Sequence, residues 1–292
     1  MEDTRLMTLL TLVKQKSYTN TAKQLFITQP AVTHHIKSLE HEFDIKIFKP
    51  GRDFELTKQG EILVEYGRRM INQSVQLSEA ISNSMRQTKV LNLGVTSTSA
   101  VAITKNNLLS VIFNHYNYEA KITVLSAETI FSELREGKLD FAIIDSNYDD
   151  NLFDGFVLGN LAIVPVCYKD GKFKEIKRVT KEMIKNNPLI LGALDEGMCK
   201  ATLNALKNSN VSLNHVSLYN SNSPYLMTKL IEAKDGIGFM YEELALEMTN
   251  IKKMDLLNYK ASQDIYFVYS QDSFDVATLK SLIKDLKKWK MA

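Results

Sequence analysis

The periodicity of apolar residues changes once along this 292-residue chain, close to residue 88. Before that point, apolar residues recur every three or four positions, which is typical of amphipathic helices. After it, short runs rich in β-branched residues alternate with segments of helical spacing. That order favours a parallel sheet covered by helices on both faces. We therefore expect an α/β protein with a smaller helical region at its N-terminus.

The first thirty residues carry the pattern of two helices followed by a tight turn and a third helix. The apolar stripe of the first helix consists of Leu6, Leu9, Leu10 and Val13. Thr19 is a suitable N-cap for the second helix and Thr28 for the third. Pro30 then falls in the first turn of the third helix, where its missing N–H costs no hydrogen bond. Pro30 is thus expected to start this helix and not to interrupt it.

The third helix has one apolar face and one polar face. The apolar stripe consists of Val32, Ile36, Leu39 and Phe43. The polar face offers hydrogen-bond donors and acceptors of the kind that read base edges in a DNA major groove. The residues expected to contact DNA from this helix are Thr28, Gln29, Pro30, Thr33, His34 and Lys37. Adjacent helical residues point about 100° apart, so His34 and His35 are not expected to chelate one metal, and His35 is expected to be structural or solvated.

A β-hairpin with a basic tip is expected directly after the third helix. The alternating apolar residues Ile45, Ile47, Phe54 and Leu56 flank the turn Pro50-Gly51-Arg52. Beside a helix-turn-helix, such a wing lies along phosphates or a minor groove, where Lys49 and Arg52 would supply positive charge. The net charge of the whole chain is only +2. The prediction of DNA binding therefore depends on pattern more than on charge.

Together, these residues resemble the winged-helix signature of the LysR-type transcriptional regulators. The matching residues are Ser17-Tyr18-Thr19, Ala22, Leu25, Gln29-Pro30-Ala31-Val32-Thr33, Ile36, Leu39-Glu40, Ile47-Phe48 and Leu56-Thr57-Lys58-Gln59-Gly60. The match has no gap, which makes it far more specific than a single short motif. The resemblance implies a winged helix-turn-helix DNA-binding domain over 1–57, a linker and dimerisation helix over 58–88, and an effector-binding domain over 89–292.

Residues 58–88 read as one long helix because they contain no proline and Thr57 can cap its start. Heptad spacing is held by Leu63, Tyr66, Met70, Leu77 and Ala80, with the polar Gln73 at one position of the stripe. A helix of this length cannot bury such a stripe on a compact domain. A homodimer or homotetramer is therefore expected, and the alternative is a helix packed only on its own domain.

Two similar sets of strands and helices indicate two lobes beyond residue 88. The expected strands are 90–96, 121–127 and 139–145 in the first set, then 161–168, 188–193, 215–220, 236–241 and 263–271, before a last helix over 273–290. Such sets suggest a cleft between α/β subdomains, as in bilobed periplasmic-binding proteins. Lobe I is expected over about 89–161 and 270–292, and lobe II over about 162–269. The resemblance implies crossover strands near 161–166 and 263–269.

Polar residues follow several of these strands, where free helix N–H groups and hydroxyls form ready sites for small ligands. The residues expected to contact a small-molecule effector are Ser97, Thr98, Ser99, Ser126, Met198, Ser221 and Ser223. The alternative is that each hydroxyl is only a helix cap. Met198 belongs to the loop 195–199, which matches a cleft segment of the resembling family. The loop also holds Asp195 and Glu196, which argue against assuming an anionic ligand.

Other function classes lack support in the sequence. No HExxH, GxSxG, Walker or GxGxxG motif is present, so we expect no catalytic residues, no metal and no cofactor. Cys167 and Cys199 are too few for a disulfide framework. There is no signal-peptide pattern and no long apolar run, so a cytoplasmic protein without a membrane partner is expected. The alternatives are a redox-responsive regulator using Cys199, or a cytosolic small-molecule binding protein or enzyme whose winged helix does not bind DNA.

Overall fold

The computed structural model describes residues 3–84, 89–104, 108–113, 118–194, 196–271 and 276–289. The chain divides into two compact units, each with its own hydrophobic core. One unit comprises Met1–Lys89 with Arg135–Lys138, and the other comprises Val90–Leu134 with Leu139–Ala292. Within the described ranges, no helix has both the length and the apolar character needed to cross a membrane.

Four helices and a short wing form the first unit. The helices are α1 (Thr4–Gln15), α2 (Tyr18–Gln24), α3 (Gln29–Glu42) and α4 (Lys58–Ser84). The core they enclose includes Leu9, Leu12, Val32, Ile36 and Leu39. The wing, between α3 and α4, forms a single antiparallel bridge between Phe48 and Leu56, so the expected hairpin is reduced to its minimum.

The start of α3 follows from local chemistry. Thr28 has an extended backbone, and its hydroxyl accepts a hydrogen bond from the N–H of Ala31 at 3.3 Å. Pro30 lies in the first turn, so the expectation of a proline-started helix is confirmed. The expectation for α2 was wrong, because Ser17 and not Thr19 is its N-cap. The Ser17 hydroxyl accepts from the N–H of Asn20, and Thr19 lies inside the helix, where it cannot cap it.

The apolar stripe of α3 ends one turn earlier than expected. Phe43 is the C-cap of the helix and its surface is 50% exposed. Extending the buried stripe to Phe43 was wrong, because helical spacing places a residue on the core face only while the helix continues.

An apolar stripe on α4 is left uncovered by the rest of the first unit. Tyr66, Met70 and Leu77 are 56%, 58% and 49% exposed. Leu63, expected in the same stripe, is partly buried against the core of the first unit. The side chain of Ala80 and residues 85–88 lie outside the described part of the chain.

The second unit is an α/β domain. Its strands are β1 (Lys89–Val95), β2 (Tyr118–Val124), β3 (Phe141–Ile144), β4 (Phe153–Tyr168), β5 (Arg178–Val179), β6 (Leu189–Leu191), β7 (Leu218–Asn220), β8 (Ile237–Tyr241), β9 (Ile251–Lys253), β10 (Asp255–Leu256) and β11 (Ala261–Ser270). Its helices are α5 (Ala100–Thr104), α6 (Leu108–Phe113), α7 (Ala127–Arg135), α8 (Lys181–Lys185), α9 (Gly197–Asn208), α10 (Pro224–Lys234), α11 (Glu242–Glu247) and α12 (Val276–Lys288).

One mixed sheet runs through this unit in the order β2-β1-β3-β11-β4-β8-β6-β7, with β9 beside β4. β1 pairs with β3 in parallel, and β6 pairs in parallel with both β7 and β8. At the centre, β4 and β11 are antiparallel to each other. The expected parallel sheet is interrupted there because β4 carries the chain from lobe I to lobe II and β11 returns it. Lobe I here denotes the β1–β3 side of this pair, and lobe II the β6–β8 side.

Candidate DNA-binding surface and effector pocket

The first half of α3 gathers the predicted DNA-contacting residues on its solvent-facing side. Exposed side chains are those of Thr28, Gln29, Pro30, His34 and Lys37, and that of Thr33 is half-buried. The Gln29 side-chain amide donates to the Thr33 hydroxyl at 3.3 Å, one turn along the helix. On the opposite side, Val32 and Ile36 are buried in the core. The polar face is therefore free of any packing role.

The two adjacent histidines of α3 have different environments. His35 Nδ1 lies 2.8 Å from the hydroxyl of Thr8, which is itself buried in α1. His34 is exposed. His35 thus links α3 to α1, so of the two expected roles, structural or solvated, it has the structural one.

The two basic residues of the wing gather around Glu55. Lys49 Nζ is paired with Glu55, and Arg52 Nη1 lies 3.1 Å from Glu55 Oε2. These hydrogen bonds, first that of Lys49 and then that of Arg52, lower the pKa of Glu55. The wing is attached to α3 through Glu40, whose Oε1 accepts the N–H of Ile47 at 2.9 Å. Lys49 and Arg52 thus lie at the exposed tip of an anchored wing.

The second unit contains a pocket of about 480 Å³ between its two lobes. Its wall consists of Ser97, Val124, Leu125 and Ser126 from lobe I, and Ala193, Glu196, Asn222, Ser223 and Pro224 from lobe II. Three predicted effector residues, Ser97, Ser126 and Ser223, therefore meet in one wall. Ser221 lies beside it, and its hydroxyl accepts the N–H of Ser223 at 3.1 Å.

The hydroxyls of Ser126 and Ser223 also have the capping role that was the alternative. Ser126 Oγ accepts the N–H of Thr129 at 3.2 Å in the first turn of α7. Ser223 Oγ accepts the N–H of Leu226 at 3.4 Å in the first turn of α10. Each hydroxyl is thus held at a helix start that borders the pocket.

Thr98, Ser99 and Met198 lie in the protein interior and do not line this pocket. The Thr98 hydroxyl donates to Asp145 Oδ2 at 2.7 Å. The Ser99 hydroxyl donates to the carbonyl oxygen of Ile143 at 2.6 Å. These hydroxyls therefore satisfy buried acceptors of the protein itself.

Asp145, at the end of β3, is a fully buried carboxylate that collects donors from both lobes. Its oxygens accept from the hydroxyls of Thr96 (2.9 Å), Thr98 (2.7 Å) and Tyr241 (2.8 Å), and from the N–H of Met198 (3.4 Å). The last of these is at the N-terminus of α9, where the helix dipole favours a negative charge. Thr96 and Thr98 belong to lobe I, whereas Met198 and Tyr241 belong to lobe II. The carboxylate therefore joins the lobes.

Tyr241 contributes to this link as a neutral donor. Burial raises the pKa of its phenol well above the usual value, and the neighbouring Asp145 raises it further. The hydroxyl therefore keeps its proton and donates a hydrogen bond to the carboxylate.

Glu196 is a second buried carboxylate and connects the lobes at the pocket itself. It is 5% exposed, and its Oε1 accepts a hydrogen bond from the Ser97 hydroxyl at 3.0 Å. Among the described residues of the wall, Glu196 is the one ionisable side chain. Asp195, next to it in sequence, lies outside the described residues.

Sequence reasoning did not select Asp145, Glu196 or Tyr241 as site residues. For Asp145, the available signal was a single acid that ends the apolar run Phe141–Ile144. A charge there requires buried partners, because an unpaired buried carboxylate is strongly unfavourable.

Both cysteines lie in the interior of the second unit. Burial raises the pKa of Cys167 to about 11, and Cys199 is 1% exposed. A reactive thiol needs access and a lowered pKa, so these environments weigh against the redox-responsive alternative.

Family models match both units. Residues 4–61 match the model described as a bacterial regulatory helix-turn-helix protein of the lysR family, and residues 86–290 match the LysR substrate binding domain. The matched segments correspond to the winged region and to the unit that contains the pocket.

Curated relatives from Bacillus subtilis (strain 168) carry names of the same kind. The HTH-type transcriptional regulator CitR is 25% identical over 63% of this chain and 64% of its own length. The HTH-type transcriptional regulator YtlI is 27% identical over 49% of this chain and 47% of its own length. The chain thus spans less than two thirds of both proteins. The uncharacterized HTH-type transcriptional regulator YwqM is 25% identical over 97% of both chains.

Solved structures share the fold along the whole chain. CbnR, a LysR family transcriptional regulator, has a TM-score of 0.71 at 13% identity and 100% coverage of both chains. ArgP from Mycobacterium tuberculosis has a TM-score of 0.68 at 16% identity, covering 99% of this chain and 97% of its own. These likenesses establish the fold alone. Because the two family models together match most of the sequence, the chain belongs to the LysR family of bacterial helix-turn-helix regulators.

Proposed function

We propose that this protein is a sequence-specific transcriptional regulator that binds double-stranded DNA and responds to a small-molecule effector. The observation that carries the proposal is the exposed polar face of α3, which has no role in the core. Its occurrence beside the wing, in a chain matching the LysR models, supports DNA contact through Thr28, Gln29, Pro30, Thr33, His34 and Lys37, with Lys49 and Arg52 at the phosphates. The protein would act in the cytoplasm as a regulator and not as an enzyme.

Alanine at Thr33 or His34 should weaken binding to the cognate duplex by about 1–3 kcal/mol, because each change removes a groove contact and leaves the buried face intact. The cognate duplex is first selected from a random library by the wild-type protein, and affinity is then measured by fluorescence anisotropy. His41→Ala is the matched control, since His41 is exposed at the far end of the same helix. Equal affinity of all three variants and the wild type would mean that α3 does not read the sequence.

Charged residues on the α4 stripe should separate a homodimer or homotetramer into monomers. Met70→Glu and Leu77→Glu would place a charge in an apolar helical seam, which is costly without a partner charge. Ser78→Glu is the control, because Ser78 is exposed on the same helix outside the heptad stripe. Sedimentation velocity distinguishes the species. An unchanged sedimentation coefficient in the Met70 and Leu77 variants would show that α4 does not hold the subunits together.

The effector is proposed to bind in the pocket between the lobes, where it would touch Ser97, Ser126 and Ser223. A ligand that contacts both lobes stabilises one lobe arrangement over another, and it shifts the equilibrium only by its difference in affinity. Ser221 would support the pocket wall through its hydrogen bond with the N–H of Ser223. Thr98, Ser99 and Met198 would act indirectly, through the buried contacts under the wall.

A further inference from the structure

We infer that the effector is a small polar molecule bearing a protonated amine, and that Glu196 is the counter-ion of that amine. The inference rests on the proposed effector pocket and assigns a chemical class to its ligand. Three features of the second unit carry it: the charge of the pocket wall, the occupation of the α9 N-terminus, and the position of Glu196 between the lobes.

The described wall of the pocket is acidic. It contains serines, apolar residues, an asparagine and Glu196, and no described wall residue is a lysine, arginine or histidine. Lys200, one turn further along α9, lines a different groove, together with Lys260. Glu196 is almost fully buried, and low local polarity strengthens its attraction for a positive charge and its repulsion of a negative one.

The N-terminus of α9, one of the helix starts near the pocket, is already occupied by a carboxylate of the protein. The N–H of Met198 donates to Asp145 Oδ2, so the protein supplies its own anion at the start of α9. Gly197 is packed so closely that an added Cβ would lie 1.5 Å from the carbonyl oxygen of Asp145. A ligand carboxylate could neither enter that space nor approach the existing charge without repulsion.

The starts of α7 and α10 define the remaining polarity of the pocket. Ser126 and Ser223 cap these helices and border the pocket. Their hydroxyls and the adjacent helix starts suit acceptor oxygens on the ligand. An amine at Glu196 with a polar acceptor group elsewhere therefore matches the wall, and the volume of about 480 Å³ suits a molecule of metabolite size.

Binding at Glu196 would also act on the contact between the lobes. The Ser97 hydroxyl donates to Glu196 Oε1 across the cleft. An ammonium group at the same carboxylate would share or replace this bond. The charge of the ligand would thus change a hydrogen bond that joins lobe I to lobe II.

The test uses the full-length protein and a panel of small metabolites grouped as amines, neutral polar molecules, and carboxylates or phosphates. Thermal shift selects ligands, and calorimetry then measures their Kd. We expect the tightest ligands to be amines. The N-acetyl form of the best amine, in which that nitrogen no longer carries a charge, should bind wild-type protein at least tenfold more weakly. Glu196→Gln, nearly equal in size, should cause a similar loss. Glu128→Gln is the control, because Glu128 is exposed on α7 close to the pocket but outside its wall.

A pocket-narrowing variant separates failure of this inference from failure of the proposed site. Val124→Trp adds bulk at a wall residue that is 59% exposed, so the fold has room for it. If the selected ligands are anions that Val124→Trp excludes, the pocket is the effector site and its assignment to amines is overturned. If Val124→Trp leaves the affinity of every ligand unchanged, the proposed site itself is overturned. A panel without any amine among its ligands, or an acetylated amine that binds as well as its parent, also contradicts the inference.

Discussion

Replacing Asp145 by alanine is expected to lower the free energy of unfolding of the second unit by about 4 kcal/mol, because each buried donor left unsatisfied costs about 1–3 kcal/mol. Asp145 is the acceptor for the hydroxyls of Thr98 and Tyr241 and for a helix N–H. The Thr96 hydroxyl keeps a second partner, the Ser99 hydroxyl at 2.8 Å. The loss therefore arises chiefly at Thr98 and Tyr241, one in each lobe.

Two further variants resolve this loss into its parts. Tyr241→Phe removes one donor and leaves the carboxylate with the others, so we expect a loss of about 1.5–3 kcal/mol, as for a hydrogen bond to a charged group. Asp150→Ala is the control, because Asp150 is exposed and surface changes usually stay within about 0.5 kcal/mol. Urea unfolding followed by circular dichroism measures the effect, with the two units fitted as separate transitions. An Asp145→Ala protein as stable as the Asp150→Ala protein would rule out Asp145 as the link between the lobes.

Gly197→Ala is expected to destabilise the second unit by about 3 kcal/mol or more, at the upper end of what overpacking costs. The added Cβ would lie 1.5 Å from the Asp145 carbonyl oxygen and 3.1 Å from the side chain of Gln263. Because the first neighbour is backbone, it cannot turn aside as a side chain would. The start of α9 must move away from β3, and the bond from Met198 to Asp145 is then lost.

The sign of this effect is informative, because helix propensity alone predicts the opposite. Alanine favours a helix over glycine by about 1 kcal/mol in a helix interior. Gly67→Ala is the matched control, since Gly67 lies inside α4 and the nearest neighbour of its added Cβ would be the flexible Leu6 side chain, at 3.2 Å. Gly67→Ala should be near neutral, measured by the same urea unfolding. A Gly197→Ala protein at least as stable as wild type would show that the close approach of α9 to β3 is not required.

The sequence by itself determined those features whose causes lie within a few residues along the chain. Thr28 and Pro30 specify the start of α3 through a cap and a missing N–H. The spacing of Val32 and Ile36 specifies which side of that helix is buried. The order of strands and helices beyond residue 88 indicated two lobes, and the resemblance to the LysR-type regulators implied the crossover strands between them. Each of these signals can be read along the sequence, so it can be recognised without knowledge of tertiary contacts.

Even local signals did not distinguish between neighbouring residues that are equally suited to one role, or show where a pattern stops. Ser17 and Thr19 both have a hydroxyl that can cap a helix, and backbone geometry decided for Ser17. Phe43 continues the apolar spacing of α3, but the helix ends before it. Whether a pattern continues depends on where the chain turns, and tertiary packing decides that.

Only the tertiary structure decided which polar residues face the pocket and which form hydrogen bonds inside the protein. Ser97 and Thr98 are adjacent and chemically alike, yet Ser97 lines the pocket and Thr98 bonds a buried carboxylate. That carboxylate, Asp145, draws its other donors from positions as distant as Met198 and Tyr241. The hydrogen bond that a hydroxyl forms depends on which acceptor lies within about 3 Å of it. Here, strands and helices that are distant in the sequence place that acceptor.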